Sequence, residues 1–97
     1  MKRKQKILIT GGTGFLGKRL GLALKEKYDV ILANINRNIL LADIPTYASN
    51  LMANGTLFVS GFYEDDIFAI SEKCNSCGLK FEKNLSRNNW VAVKYVF

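Results

Sequence analysis

The run Thr10-Gly11-Gly12-Thr13-Gly14-Phe15-Leu16-Gly17 is the stretch whose residue types and spacing point most directly to chemistry. A short apolar run, Ile7-Leu8-Ile9, precedes it, and a helical pattern of Phe15, Leu16, Leu20, Leu22, Ala23 and Leu24 follows. Glycines between a strand and a helix let the backbone turn tightly and come close to a ligand. The N–H groups that open the helix then face an anion. Gly11, Thr13, Gly14, Phe15, Leu16 and Gly17 are therefore the candidate cofactor-binding residues, a cradle for a phosphate or pyrophosphate. The competing reading is structural: the same glycines also let a helix pack tightly against a strand.

Other reactive side chains are few. The chain has no histidine, which removes the commonest general base and metal ligand. Its two cysteines form one Cys74-Asn75-Ser76-Cys77 group, too few ligands for a structural zinc. The pair falls late in a helical pattern rather than at a helix start, so buried or half-buried free thiols are expected, in keeping with a cytoplasmic protein. Glu64, Asp65 and Asp66 suit the positive end of a helix better than a metal, because consecutive side chains diverge. No catalytic residue and no metal ligand is assigned. Tyr63 and Trp90 are expected as core or rim aromatics.

The elements that position these residues follow from the pattern. The chain has 97 residues, 48% hydrophobic and 23% charged, which suits a single α/β domain spanning 1–97. The net charge of +6 is concentrated at Lys2, Arg3, Lys4 and Lys6, and the remaining cations nearly balance the eight acids. A solvated basic tip is expected rather than a nucleic-acid surface. The apolar run after it is too short for a signal peptide or a membrane span. Strands are predicted at 6–10, 30–33, 56–60, 79–84 and 90–97. Helices are predicted at 15–27, at 38–43 and 45–53 on either side of Pro45, and from Glu64 to Gly78. The pattern β-α-β-α-β-α-β-β predicts a Rossmann-like, mostly parallel five-stranded sheet. The turn at 86–89 is too short for a parallel crossover, so the last strand is antiparallel.

Two family resemblances attach to these residues. Residues 6–27, KILITGGTGFLGKRLGLALKEK, resemble the first strand, turn and helix of an extended short-chain dehydrogenase or NAD-dependent epimerase, through Gly11, Gly14 and Gly17. That resemblance implies NAD or NADP. Residues 28–97 resemble the carboxyl-terminal half of the methyltransferases that modify a large-subunit ribosomal protein, through LANINRNIL, GTLFVSGFYEDD and NNWVAVKY. That resemblance implies that Asn34 and Ile35 lie on the loop where an acceptor nitrogen approaches S-adenosylmethionine; with no methyl-donor site in the chain, Asn34 is expected as a loop cap rather than a working acceptor-positioning residue.

Neither resemblance is complete. The dehydrogenase Tyr-x-x-x-Lys pair is missing: Leu32, Leu51 and Ile67 stand four residues after Tyr28, Tyr47 and Tyr63. Asn34 stands where an acid is expected at the end of the second strand. Arg37 could meet a 2′-phosphate, but the methyltransferase resemblance accounts for it equally well. The methyltransferase resemblance begins partway through its fold, without the cofactor loop, the ribose-binding acid or the substrate-recruiting domain. These departures lead to the expectation of an engineered or selected chimera, joined near Lys27 or Tyr28, that is not an enzyme and has no cofactor beyond weak NAD(P) or anion binding at the glycine turn. Two alternatives stand beside it: a residual nucleotide-binding module using the glycine turn, and an incomplete S-adenosylmethionine-dependent methyltransferase fragment that needs a complement. The expected strand order is 1-2-3-5-4, which keeps most parental contacts, with 2-1-3-5-4 as the alternative. Right-handed crossovers would then place all the helices on one face, and the bare face predicts self-association as a homodimer or domain swap, with no nucleic-acid or membrane partner.

Overall fold

The computed structural model describes residues 5–11, 27–88 and 90–97. Its elements are β1 (Ile7–Gly11), β2 (Tyr28–Asn34), α1 (Arg37–Ser49), β3 (Leu51–Phe62), a 3-10 turn (Glu64–Asp66), α2 (Ile67–Ser76), β4 (Lys80–Arg87) and β5 (Trp90–Val96). Of the helix predicted over 15–27, all but Lys27 lies outside the described residues. The five strands form one sheet in the order β1-β2-β3-β5-β4. β1, β2 and β3 are parallel, and β5 runs antiparallel to both β3 and β4. The predicted architecture, strand order and reversed last strand are all present.

The alternation of side chains along the strands decides where the core sits. Ile31, Leu57 and Tyr95 align across three strands, as do Ala33, Val59 and Val93. All six are buried. Two side-chain hydrogen bonds hold both described helices over this face. The Tyr47 hydroxyl of α1 lies 3.4 Å from the Thr10 hydroxyl of β1. The Ser71 hydroxyl of α2 lies 2.7 Å from that of Tyr95. Both bonds satisfy tyrosine oxygens that would otherwise be buried unpaired.

The opposite face holds Leu32 and Phe58, half-buried, and on β1 the more open Ile7 and Ile9, 52% and 71% exposed. Lys94 covers part of it, with its ammonium 5.7 Å from the Phe58 ring centre and 3.2 Å from Glu82. At the far edge β4 is exposed along its whole length and carries Lys80, Lys83 and Arg87. Charges on such an edge disfavour pairing with another strand.

Pro45 does not divide the second helical region, contrary to the sequence expectation: α1 is one helix that contains it. Leu40, Ile44, Tyr47 and Ala48 form a continuous buried stripe on both sides of the proline, whose own side is exposed. A proline inside a helix costs about 3 kcal/mol relative to alanine. Each fully buried aliphatic side chain returns roughly 1.5–3 kcal/mol, so the stripe outweighs the break. The Asn36 side chain caps the start by accepting from the Ile39 N–H at 3.0 Å. Asn50 closes the end by donating its side-chain amide to the Thr46 carbonyl at 2.7 Å.

Residues 51–53, predicted as helix, instead begin β3. Leu51 is buried and pairs with Tyr28, and the register then jumps so that Val30 faces Thr56. Asn54, at φ 65°, turns the chain within that irregularity. Likewise, the acids Glu64–Asp66 form a tighter 3-10 turn ahead of α2 rather than its first α-helical turn. Gly78, at φ 90°, terminates α2 as predicted.

Candidate functional site

In sheets of this kind ligands lie beyond the carboxyl ends of the parallel strands. Here those ends align as Gly11, Asn34 and Ser60, register partners across β1, β2 and β3. Of the candidate cradle residues, Gly11 is thus the last residue of β1, directly beside Asn34. Thr13, Gly14, Phe15, Leu16 and Gly17 lie outside the described residues.

The chain leaves β2 through an exposed Asn34 and a buried Ile35. The Ile35 N–H donates to the Ser60 carbonyl at 3.1 Å, which fastens this loop to the end of β3. Next along β3, Gly61 has φ 95° and no side chain. A Cβ there would fall 2.7 Å from Asn34 Oδ1 and 2.9 Å from the Ile35 carbonyl oxygen.

Further along, Arg37 Nη1 contacts Asp66 Oδ1 at 3.4 Å, and Asp66 Oδ2 accepts from the Tyr63 N–H at 3.1 Å. One carboxylate thereby ties the loop that opens α1 to the loop that leaves β3. Between them is a depression of about 340 Å³ lined by Asn36, Arg37, Asn38, Gly61, Phe62, Tyr63 and Asp66. Tyr63 stands on its rim, 70% exposed.

The remaining candidates fall elsewhere. Cys74 is buried and Cys77 half-buried, and both are free thiols, as expected. Burial, reinforced by the neighbouring Cys77, pushes the Cys74 thiol up to about 12, which makes it inert. Among the described residues no three His, Cys, Asp or Glu side chains come together as a metal site. The sequence places Asn34 on this loop through the methyltransferase resemblance, with a loop cap as its expected role, and shows neither the Gly61 seat nor the Asp66 clamp. Their only trace in the sequence is the Gly61-Phe62-Tyr63-Glu64-Asp65-Asp66 run, read there as a loop and a helix start.

The fold and the strand-end loops define an α/β methyltransferase-type domain, and solved structures agree. A ribosomal protein L11 methylase from Lactobacillus delbrueckii subsp. bulgaricus superposes with a TM-score of 0.72 at 25% identity, over 78% of this chain and 39% of that one. A methyltransferase from Pyrococcus furiosus shares the fold with a TM-score of 0.60 at 12% identity, over 75% of this chain and 42% of that one. The family model described as ribosomal protein L11 methyltransferase (PrmA) matches residues 13–97, and the chain belongs to that family. A ribosomal protein L11 methyltransferase of Phocaeicola vulgatus is 50% identical over 72 residues, 74% of this chain and 26% of the relative. One from Bacteroides fragilis is 45% identical over 80 residues, 82% of this chain and 29% of the relative. The chain therefore spans less than a third of the length of these curated relatives.

These matches correct three expectations. The chain was expected not to be an enzyme, yet it belongs to a family of methyltransferases and corresponds to part of one. The family match starts at Thr13, inside the glycine turn, and runs through Lys27 and Tyr28. Nothing in the matches supports a dehydrogenase segment, a chimeric junction or engineering. The expectation of no cofactor beyond NAD(P) or an anion gives way as well, since a methyltransferase family implies S-adenosylmethionine. The family match takes in Thr13 to Gly17, so the turn by itself does not mark a dehydrogenase.

Proposed function

We propose that this chain is the acceptor-side portion of an S-adenosylmethionine-dependent protein methyltransferase. The observation that carries the reading is the Asn34–Ile35 loop at the carboxyl edge of the sheet, with the Asn34 side-chain oxygen and the Ile35 carbonyl converging on Gly61. Two neutral oxygens suit the N–H groups of an amine. Accepting from them orients the nitrogen without adding a negative charge that would stabilise its protonated, unreactive form. The exposed Tyr63 and the depression beside it leave room for the rest of an acceptor side chain.

The described residues do not fit the methyl donor by themselves. Asp66 is engaged by Arg37 and by the Tyr63 N–H rather than open to a ribose, and its neighbours Glu64 and Asp65 are exposed. We assign the rest of the donor side to the longer chain that the relatives carry, of which this chain spans less than a third.

The test is transfer of labelled methyl from S-adenosylmethionine to bacterial ribosomal protein L11. It is run with this chain alone and with the amino-terminal remainder of the Bacteroides fragilis relative added. Label transfer that requires both pieces and is abolished by Asn34→Ala supports the reading. Transfer that ignores Asn34, or none with both pieces present, refutes it.

A further inference from the structure

We infer that Gly61 is a positioning residue for the acceptor pair, a role that rests on the methyltransferase reading above. Its bare Cα is the seat against which the Asn34 carboxamide and the Ile35 carbonyl are set. Its φ of 95° lies beyond the left-handed region that Asn54 and Asn88 occupy at 65° and 52°, so glycine suits the backbone here, and the crowding around its Cα is a second, separate requirement.

Gly78 provides an internal comparison. Its φ of 90° is close to the 95° of Gly61, but a Cβ there would come no nearer than 3.3 Å to another heavy atom, Phe97 Cε1. At Gly61 the same atom would fall 2.7 Å from Asn34 Oδ1, 2.9 Å from the Ile35 carbonyl oxygen and 3.1 Å from the Ile35 nitrogen. The first two are closer than real Cβ atoms come, and the third is tight. The Ile35 backbone is held by its bond to the Ser60 carbonyl, so the yielding group is the free end of the Asn34 side chain. The loop beyond Gly61 is held at its other end by Asp66, which limits how far it can move aside. A methyl at position 61 thus turns the Asn34 oxygen away from the place where it would meet an amine.

The experiment compares Gly61→Ala with Gly78→Ala, each alone and combined with Asn34→Ala. It reads urea unfolding together with the side-chain amide resonances of Asn34 where that residue is retained. Gly78→Ala is expected to lower the folding equilibrium constant by roughly tenfold, the strain of alanine at positive φ, without moving the Asn34 resonances. Gly61→Ala is expected to lower it further, to shift those resonances, and to lose part of its excess cost once Asn34 is alanine.

In the two-piece methyl-transfer assay, Gly61→Ala is expected to lower kcat by tenfold or more while the S-adenosylmethionine concentration for half-saturation stays within about twofold. Gly78→Ala should leave both within about twofold under folded conditions. Unmoved Asn34 resonances, an excess cost independent of Asn34, or an unchanged kcat each overturn the positioning role. A coupled shift with no transfer by the unsubstituted chain overturns the methyltransferase reading instead, and with it the catalytic meaning of the seat.

Discussion

Asn34 carries an amide nitrogen where aspartate has a second oxygen, and on the proposed acceptor-side function that difference sets the charge beside the amine. A carboxylate within about 4–6 Å favours the protonated amine, and each unit rise in its pKa cuts the reactive neutral fraction about tenfold at neutral pH. Asn34→Asp is therefore expected to lower methyl transfer at neutral pH by tenfold or more, with partial recovery as the pH rises. The pH–rate profile of the two-piece assay checks this. Asp43 on α1 carries the opposite problem. Its Oδ2 is buried without a hydrogen-bond partner, and burial raises its pKa above the usual 3.8. The protonated form is the one the fold favours, so its stabilisation is fully present below pH 3.8 and is lost as the pH rises through the higher folded value. Asp43→Asn should accordingly stabilise the chain at neutral pH, and the gain should vanish in acid. Urea midpoints at the two pH values measure it.

At the level of elements, α1 shows packing overriding local preference. The residue before Pro45 is Ile44, which a local reading places outside a helix, yet Ile44 is fully buried in the middle of one. Two substitutions separate the opposing effects. Pro45→Ala restores an N–H donor at an exposed position and should stabilise by about 1–2 kcal/mol, the helix gain being offset in part by a more flexible unfolded chain. Ile44→Ala removes buried surface and should destabilise by about 2–5 kcal/mol. Thermal unfolding of the two variants should move in opposite directions. The early start of β3 has the same origin: Leu51 gains burial by pairing with Tyr28, and the excess residues are taken up by the turn at Asn54.

Across the whole molecule, buried acidic hydrogens predict how the fold fails in base. Burial pushes Cys74 from its ordinary 9.0 to about 12. It also pushes Tyr95 from 10.0 to about 12, opposed by the hydrogen bond to Ser71 and reinforced by the neighbouring Cys74. Both folded values lie above the unfolded ones, so stability is fully present below about pH 9 and is lost between there and about pH 12, as the unfolded chain ionises first. Circular dichroism across that range should show a cooperative loss. Cys74→Ala would remove one ionising group, at the cost of a small cavity, and should make the alkaline decline shallower.

By itself the sequence determined the periodicities and punctuation that require a mostly parallel five-stranded α/β sheet: alternating runs for the strands, Gly78 to end α2 and a turn too short for a parallel crossover. It also determined the methyltransferase resemblance of residues 28–97 and the place of Asn34 on that family's acceptor loop, because contiguous blocks such as LANINRNIL carry that information locally. Its glycine turn misled about family, since a short glycine spacing is a local pattern and the family match runs through most of it. Only the tertiary structure decided that α1 passes through Pro45, that β3 starts at Leu51, and that Gly61 and Asp66 bear on the loop around Asn34. Each of these depends on burial or contact between residues far apart in the chain, an energy that no local pattern contains.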